Sequence, residues 1–255
     1  MSENTPLSLD VNAGWEADSL RFTCFVQGAP ATDQNWWGQI CGSPPESSTT
    51  RMNGAHRVDQ GKYGSGVLYL EVQPGRIDLV LGPVIDEQNP TFEFAVLGPY
   101  PKVIIEFEEI IKKWLRLDDL PPIQRVAFGV PAFMAVASLK AGYLKLAGYL
   151  KDLKIDPDNS SDLTYQINRP RKTLTTIPSL SINRLSRWST ARLRIYSSPT
   201  DVVRTIAVER FACRLELDIN TIPEHLAPLP KEMLPTLFSE LAALASEIML
   251  KGDIP

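Results

Sequence analysis

Hydrophobic residues in the first part of the chain follow two different spacings, which predict both strands and helices. Residues Leu20–Val26 are rich in aromatic and β-branched side chains and stop before Gly28 and Pro30, a composition typical of a β-strand. Apolar residues between positions 102 and 115 recur every three or four residues, which predicts an amphipathic helix. Residues 33–40 predict a further short helical segment.

The segment between these two elements has the pattern of an antiparallel meander. Residues 66–72 and 76–81 are apolar runs joined by a Gln-Pro-Gly tripeptide. Pro fixes φ and Gly adopts positive φ without strain, so the tripeptide favours a tight turn and the two runs a hairpin. A short strand is expected at 55–58, and the polar residues 42–50 predict a loop.

The second part of the chain repeats this order of elements. Strands are expected at 123–130, 163–168, 179–185, 191–196 and 205–219, and helices at 138–153 and 231–250. We therefore expect an α+β fold of antiparallel sheets with packed helices, in two pseudo-repeated β-α-β-β-β-α halves. Two acids and two prolines at 118–122 place the boundary between residues 1–119 and 120–255, which form either two domains or one continuous body.

Charge is distributed unevenly along this pattern. The 255 residues carry a formal charge of −4, and the first 100 contain 12 acids and 5 bases. Residues 163–200 contain no acid. The basic residues of this acid-free stretch that we single out are Arg169, Arg171, Lys172, Arg184, Arg187, Arg192 and Arg194. The molecule can therefore present a basic face despite its negative total charge.

Two interpretations of the acid-free stretch follow from its composition. Arginines interleaved with aromatic residues such as Trp188 suit phosphate contacts and base stacking, which predicts a nucleic-acid interface. Alternatively, the arginines pair with the acidic first half or with an acidic protein surface. Arg192 and Arg194 are two positions apart and share one face of a strand, and Arg187 is expected to join them across a hairpin.

The adjacent pair Trp36 and Trp37 is a second candidate contact. Neighbouring side chains on a strand point in opposite directions, so one indole is expected to be exposed if the segment is extended. Exposed tryptophans are frequent anchors of protein interfaces. Core packing of at least one of the two rings is the competing interpretation.

No recognisable catalytic constellation is present in the sequence. There are three cysteines and two histidines, and their spacing is not that of a zinc site. The phosphate-binding motifs G-x-x-x-x-G-K-[ST] and G-x-G-x-x-G do not occur. We therefore assign no catalytic residue, metal ligand or cofactor. An enzyme with unrecognised chemistry remains the third alternative for function.

The cysteines, the first residues and the most apolar segment indicate the cellular compartment. An odd number of cysteines without a disulfide framework indicates reduced thiols, and residues 1–5 lack the basic and apolar start of a secretory signal. The most membrane-like segment, 130–150, contains Lys140 and Lys145, which disfavours insertion in a bilayer. We expect a cytoplasmic protein that does not contact a membrane.

The C-terminal pattern resembles a known group of proteins. The strand-like residues 211–220 and the helical residues 237–248 are similar to the end of a sporadically distributed family of uncharacterised bacterial proteins of similar length. The resemblance implies a prokaryotic accessory protein and transfers no functional residue. Sporadic distribution is typical of mobile or defence-associated operons, including CRISPR-linked ones.

Together these observations predict a non-enzymatic protein-interaction or regulatory accessory subunit. Its partner is expected to be another protein from the same operon, and a homodimer is compatible with the sequence. The alternative is a nucleic-acid-binding accessory protein that uses the basic 163–200 region.

Overall fold

Twelve antiparallel strands and four helices make up the computed structural model over the residues that it describes, which are 14–51, 54–85, 93–196 and 206–255. The strands are β1 Glu16–Ala17, β2 Leu20–Val26, β3 Ser47–Arg51, β4 His56–Tyr63, β5 Gly66–Gln73, β6 Arg76–Pro83, β7 Gly98–Pro99, β8 Ile123–Val136, β9 Thr164–Asn168, β10 Arg171–Lys172, β11 Ser181–Tyr196 and β12 Ile206–Thr221. The helices are α1 Trp36–Cys41, α2 Tyr100–Leu115, α3 Leu139–Tyr149 and α4 Leu234–Lys251, the last preceded by a 3-10 turn at Lys231–Met233. Residues 1–5, which carry the expectation about a secretory signal, lie outside the described residues. So does Thr205, the first residue of the strand expected at 205–219.

All strands belong to one open sheet, with the order β10-β11-β12-β8-β2-β6-β5-β4-β3. Beside this path, β9 pairs with β11, and β1 pairs with β7 and β8. The α+β prediction is confirmed. Strands of the two expected halves share the sheet, because β2 pairs directly with β8 in the register Phe22 to Phe128. The strand order is similar on both sides of this pair, and the duplication itself stays a prediction.

Strand β8 is longer than expected because it has a different partner at each end. Its first part pairs with β2, and its last part, at Ala132 and Phe133, pairs with β1. Pro131 lies at the change of partner, where the missing N–H of a proline interrupts no ladder hydrogen bond to β2. The Pro131 carbonyl still accepts a hydrogen bond of 2.9 Å from the backbone N–H of Asp18.

The apolar periodicity of α2 and α4 buries one face of each helix against the sheet. Phe107 of α2 and Phe238 of α4 meet Phe128 of β8 with ring-centroid distances of 6.2 and 5.6 Å. Phe22 of β2 completes the cluster, 4.9 Å from the Phe238 ring. Burying side chains of this size contributes about 1.5–3 kcal/mol each, so this aromatic cluster is a main source of stability.

Several local expectations can be compared with the structure. The hairpin of β5 and β6 is present, and Gly75 in its turn has φ 76°. The expected loop at 42–50 is wrong in its second part, because Ser47–Arg51 pairs with β4 as an edge strand. The two strands expected at 179–185 and 191–196 are one strand, β11, because the polar residues between them pair with β9 and β12.

One helical segment of the described chain is apolar and long enough to cross a membrane by composition. It is Lys231–Lys251, with a mean hydropathy of 1.4. Eight side chains of α4 are buried in the protein core, including Phe238 and Leu241. The segment 130–150, which the sequence predicts to be the most membrane-like, forms the end of β8 and helix α3.

Candidate functional site

The four helices of the described chain contact the same face of the sheet. Contacts on this face include Phe22 with Phe238 and the close approach of helix residue Gly142 to Cys213. Side chains alternate along each strand, so the intervening positions form a second face, which we call the open face. Its side chains at the centre of the sheet are Arg21, Thr23, Phe25, Arg76, Asp78, Val80, Leu185, Arg187, Arg214, Glu216 and Asp218.

A shallow groove of about 560 Å³ runs across the open face. Its apolar floor includes Val80, Pro131 and Leu185, and its walls carry charged side chains of both signs. The loop at Phe94 covers only one end of this face, where its ring stacks on Phe133 at 4.8 Å. Every described residue that lines the groove belongs to a strand of the sheet or to the link at Asp18 and Ser19, so no other described loop crosses its centre.

Most charges around the groove belong to short networks. Asp78 is buried and binds Arg76, with an Nε to Oδ2 distance of 2.5 Å. The hydroxyl of Thr23 donates to the other carboxylate oxygen of Asp78 at 2.5 Å. Glu216 contacts two arginines, Arg214 and Arg187, the latter at 3.6 Å. These contacts connect side chains on four strands, β2 with β6 and β11 with β12.

Arg21 differs from its neighbours because no acidic side chain of the described residues lies within 4 Å of its guanidinium. Its guanidinium lies over Gly129 of the neighbouring strand, where a Cβ would be in ordinary van der Waals contact with Arg21 Nη2, at 3.5 Å. Asp18, at one wall of the groove, is likewise without an ion pair there. Burial raises the pKa of Asp18, and Arg214 opposes this effect. The groove thus holds one cation, Arg21, and two acids, Asp18 and Asp218, that have no ion pair among the described residues.

The acid-free stretch identified from sequence is largely neutralised within the protein. Arg169 binds Asp253 at 2.6 Å and Arg171 binds Glu247 at 2.8 Å. Arg184 is 1% exposed, and Glu247 is its nearest acid at 3.7 Å. Burial lowers the pKa of Arg184, as does Arg171 nearby, while Glu247 and Asp253 raise it.

The other arginines of the stretch pair across the β11–β12 hairpin. Arg187 contacts Glu216, and both Arg192 and Arg194 contact Glu209, at 3.7 and 2.6 Å. All these acids lie in the last quarter of the chain. Among the described residues the expected pairing with the acidic first half is replaced by these contacts, because β12 and α4 adjoin this region.

The expected grouping of Arg187 with Arg192 and Arg194 is also wrong. The register of β11 with β12 is regular through residues 182–195, so odd and even positions face opposite sides. Arg187 lies on the open face, whereas Arg192 and Arg194 lie on the helix-bearing side. Lys172 is exposed at the sheet edge and has no ion pair among the described residues.

The tryptophan candidates lie inside the protein. Trp36 and Trp37 are each 2% exposed, because α1 turns both indoles toward the core, where Trp36 meets Trp114 at 6.0 Å. Trp188 is fully buried and donates its indole N–H to Ser186 at 3.0 Å. The expectation of an exposed indole contact is therefore wrong: the short helical segment predicted for residues 33–40 is present as α1 and directs both rings inward.

Cysteine and histidine side chains are dispersed in the structure. Cys24 and Cys213 are buried, and Cys41 is half-buried. His56 contacts Glu71 at 2.8 Å, far from His225 in sequence. Within the described ranges, no group of three or more His, Cys, Asp or Glu residues is arranged to hold a metal ion.

Sequence reasoning missed the central residues of the open face. Arg214, Glu216 and Asp218 alternate with apolar residues, and this period of two already indicates one polar face of a strand. The positions of Arg21 and Arg76 beside it depend on strand pairing between distant segments, which the spacing of residues does not specify.

Comparisons with known proteins give no further guide. No protein-family model, no curated protein and no solved structure matches this chain.

Proposed function

We propose that the chain is a non-enzymatic accessory subunit that binds another protein across the open face of its sheet. The expected partner is a product of the same operon, in a prokaryotic defence system or a comparable mobile operon. The observation that carries the proposal is the guanidinium of Arg21, which has no acid within 4 Å in the described structure and lines a groove of mixed charge.

The chemistry of the groove indicates what the partner presents. Arg21 suits a carboxylate, and Asp18 suits a basic or hydrogen-bond-donating group. The apolar floor at Val80 and Leu185 suits a small apolar side chain between these two charges. A protein surface of mixed charge supplies the carboxylate, the basic or donor group and the apolar side chain. The alternating charges of the groove would select the orientation of this partner.

Nucleic acid is less well matched to this face. Six of the seven basic residues singled out in the acid-free stretch have an acid within 4 Å. Glu216 and Asp218 would lie close to any phosphate bound in the groove. Binding of a polyanion would require these carboxylates to be approached or displaced, which Coulomb repulsion opposes.

The test is capture of co-expressed operon products by the tagged chain at physiological salt, followed by mass spectrometry. We expect a stoichiometric protein partner that is lost in Arg21→Glu and weakened in Arg187→Glu. The matched control is Arg192→Glu, which reverses an exposed arginine on the same strand but on the helix-bearing side. Capture in Arg192→Glu should equal that of the unsubstituted protein.

Two results would contradict the proposal. One is equal loss of the partner in Arg187→Glu and Arg192→Glu, which would show that the faces are not distinguished. The other is recovery of nucleic acid instead of protein, with an affinity that falls steeply as salt rises.

A further inference from the structure

A second groove, independent of the open face, lies between the start of α2 and the end of α4. Its volume is about 640 Å³, within the range of about 300–1,000 Å³ that is typical of small-molecule sites. The lining is mainly aromatic and aliphatic and includes Trp15, Tyr100, Ile104, Tyr149, Met249 and Leu250. Leu250 is 79% exposed at its edge, so an apolar side chain there faces solvent.

Few polar groups reach this groove, and each of those described here has a polar neighbour within the protein. Tyr100 shares a hydrogen bond of 3.2 Å with Ser246, so both hydroxyls have a partner. The buried indole N–H of Trp15 has no acceptor at hydrogen-bonding geometry among the described residues. Tyr149 is nearby: burial raises the pKa of its hydroxyl, and the Trp15 N–H partly lowers it. The walls along Trp15 therefore suit the apolar part of a ligand.

Positive charge lies at one end of the groove. An adjoining depression of about 530 Å³ shares Tyr149 and Leu250 with it and is lined by Lys145, Lys151 and Lys251. Lys251 contacts Glu247 at 3.1 Å. Lys145 and Lys151 have no ion pair in the part of the chain that the structure describes. The combined surface is therefore apolar along its length and cationic at one end.

We propose that this groove binds a single-chain acyl carboxylate, with the apolar chain along Trp15 and Ile104 and the carboxylate beside Lys145 and Lys151. Charge complementarity selects the anionic head group, and the aromatic walls select the apolar chain. The site is on the helix-bearing side of the molecule and does not depend on the protein partner proposed above.

The test is calorimetric titration of the full chain with sodium laurate at low salt, below the concentration at which laurate forms micelles. We expect saturable binding of one laurate per chain. Dodecyltrimethylammonium, with the same chain length and the opposite charge, should bind at least about tenfold more weakly because the lysines repel it. Equal affinity for the two ligands, or no saturable binding of laurate, would overturn the proposal.

Matched variants locate the site. Leu250→Glu and Lys151→Glu should each weaken laurate binding by about tenfold. Leu226→Glu changes a leucine that is 80% exposed away from the groove, and Lys172→Glu reverses an unpaired lysine at the sheet edge. Both controls should bind laurate normally, and equal losses in the controls would overturn the assignment.

Other occupants are distinguished in the same samples. Sedimentation velocity tests whether a second copy covers the groove, and flotation with phosphatidylglycerol vesicles tests whether a bilayer does. Self-association that Leu250→Glu abolishes, or vesicle binding without binding of monomeric laurate, would contradict the proposal. Thermal unfolding of each variant, compared with the unsubstituted protein, verifies that a loss of binding is not a loss of folding.

Discussion

Arg169 holds Asp253 through two parallel hydrogen bonds, Nε to Oδ1 at 2.6 Å and Nη2 to Oδ2 at 2.9 Å. The Tyr165 hydroxyl donates to the same carboxylate at 2.9 Å. These contacts fix the residues after α4 to strand β9 and the loop that follows it. Arg169 thus anchors the segment after α4, and Arg171 anchors α4 itself through Glu247.

We expect Asp253→Asn to lower the free energy of unfolding by about 1–2 kcal/mol at neutral pH, since a charge-assisted pair in a partly exposed setting is lost. The hydrogen bond from Arg169 holds the Asp253 pKa below its ordinary value of 3.8. The contribution is therefore present above that value and is lost as pH falls through the lower pKa of the folded protein. Urea unfolding from pH 7 to pH 2.5 should show the two proteins converging in acid, and a constant difference would contradict this assignment.

Gly252 and Gly148 should respond in opposite directions to the same substitution. Gly252 has φ 87°, and a Cβ there would lie 2.1 Å from the Tyr149 carbonyl oxygen. Gly148, in α3, is exposed and would place a Cβ in open space. Gly252→Ala should destabilise by more than about 2 kcal/mol, and Gly148→Ala should stabilise by about 0.5–1 kcal/mol. Thermal unfolding measures both changes in stability. A change of the same sign in the two variants would contradict the positive φ described for Gly252.

Thiol labelling should distinguish the three cysteines. Burial raises the pKa of Cys213 to about 12 and that of Cys24 well above its ordinary value. Cys41 is half-buried, and burial raises its pKa while Lys113 lowers it. At pH 8 we expect iodoacetamide to modify Cys41 first in the folded protein and all three cysteines in denaturant. Peptide mass spectrometry after timed quenching measures the order, and early labelling of Cys213 would contradict its burial.

The hydrogen bond between Thr23 and Asp78 should stabilise the open face. Thr23→Val removes the only hydroxyl donor that reaches Asp78 in the described structure and should cost about 1–3 kcal/mol. Thr49→Val, at an exposed position of edge strand β3, is the control and should change stability by less than about 0.5 kcal/mol. Equal denaturant midpoints for the two variants would argue against the Asp78 network.

The sequence predicts the class of fold better than the position of the site. Local patterns identify the hairpin around Gly75 and the helix from Tyr100 to Leu115, because turn chemistry and apolar spacing are properties of neighbouring residues. Pairing of β2 with β8 joins positions about a hundred residues apart. Such pairing decides which arginines share a surface, and no local pattern contains it.

The basic stretch illustrates the same limit. Its lack of acids is correctly visible in the sequence, but Asp253 and Glu247 reach it only through folding of α4 against the sheet. Conversely, Arg21 is a single arginine in an apolar run, and only the pairing of β2 with β6 and β8 shows that no acid among the described residues lies within 4 Å of it. In this protein, the arginine-rich segment of the sequence forms ion pairs within the fold, whereas the arginine available to a partner stands alone in an apolar segment.

Hydroxyl-radical footprinting of the complex with the captured protein partner tests the central claim most directly. We predict that Phe25, Val80 and Leu185 on the open face lose reactivity in the complex. Ile105 and Leu144, which are 60% and 57% exposed on the helix-bearing side, should react as in the free protein. Protection of Ile105 and Leu144 with unchanged reactivity of Val80 and Leu185 would contradict the assignment of the open face as the binding surface.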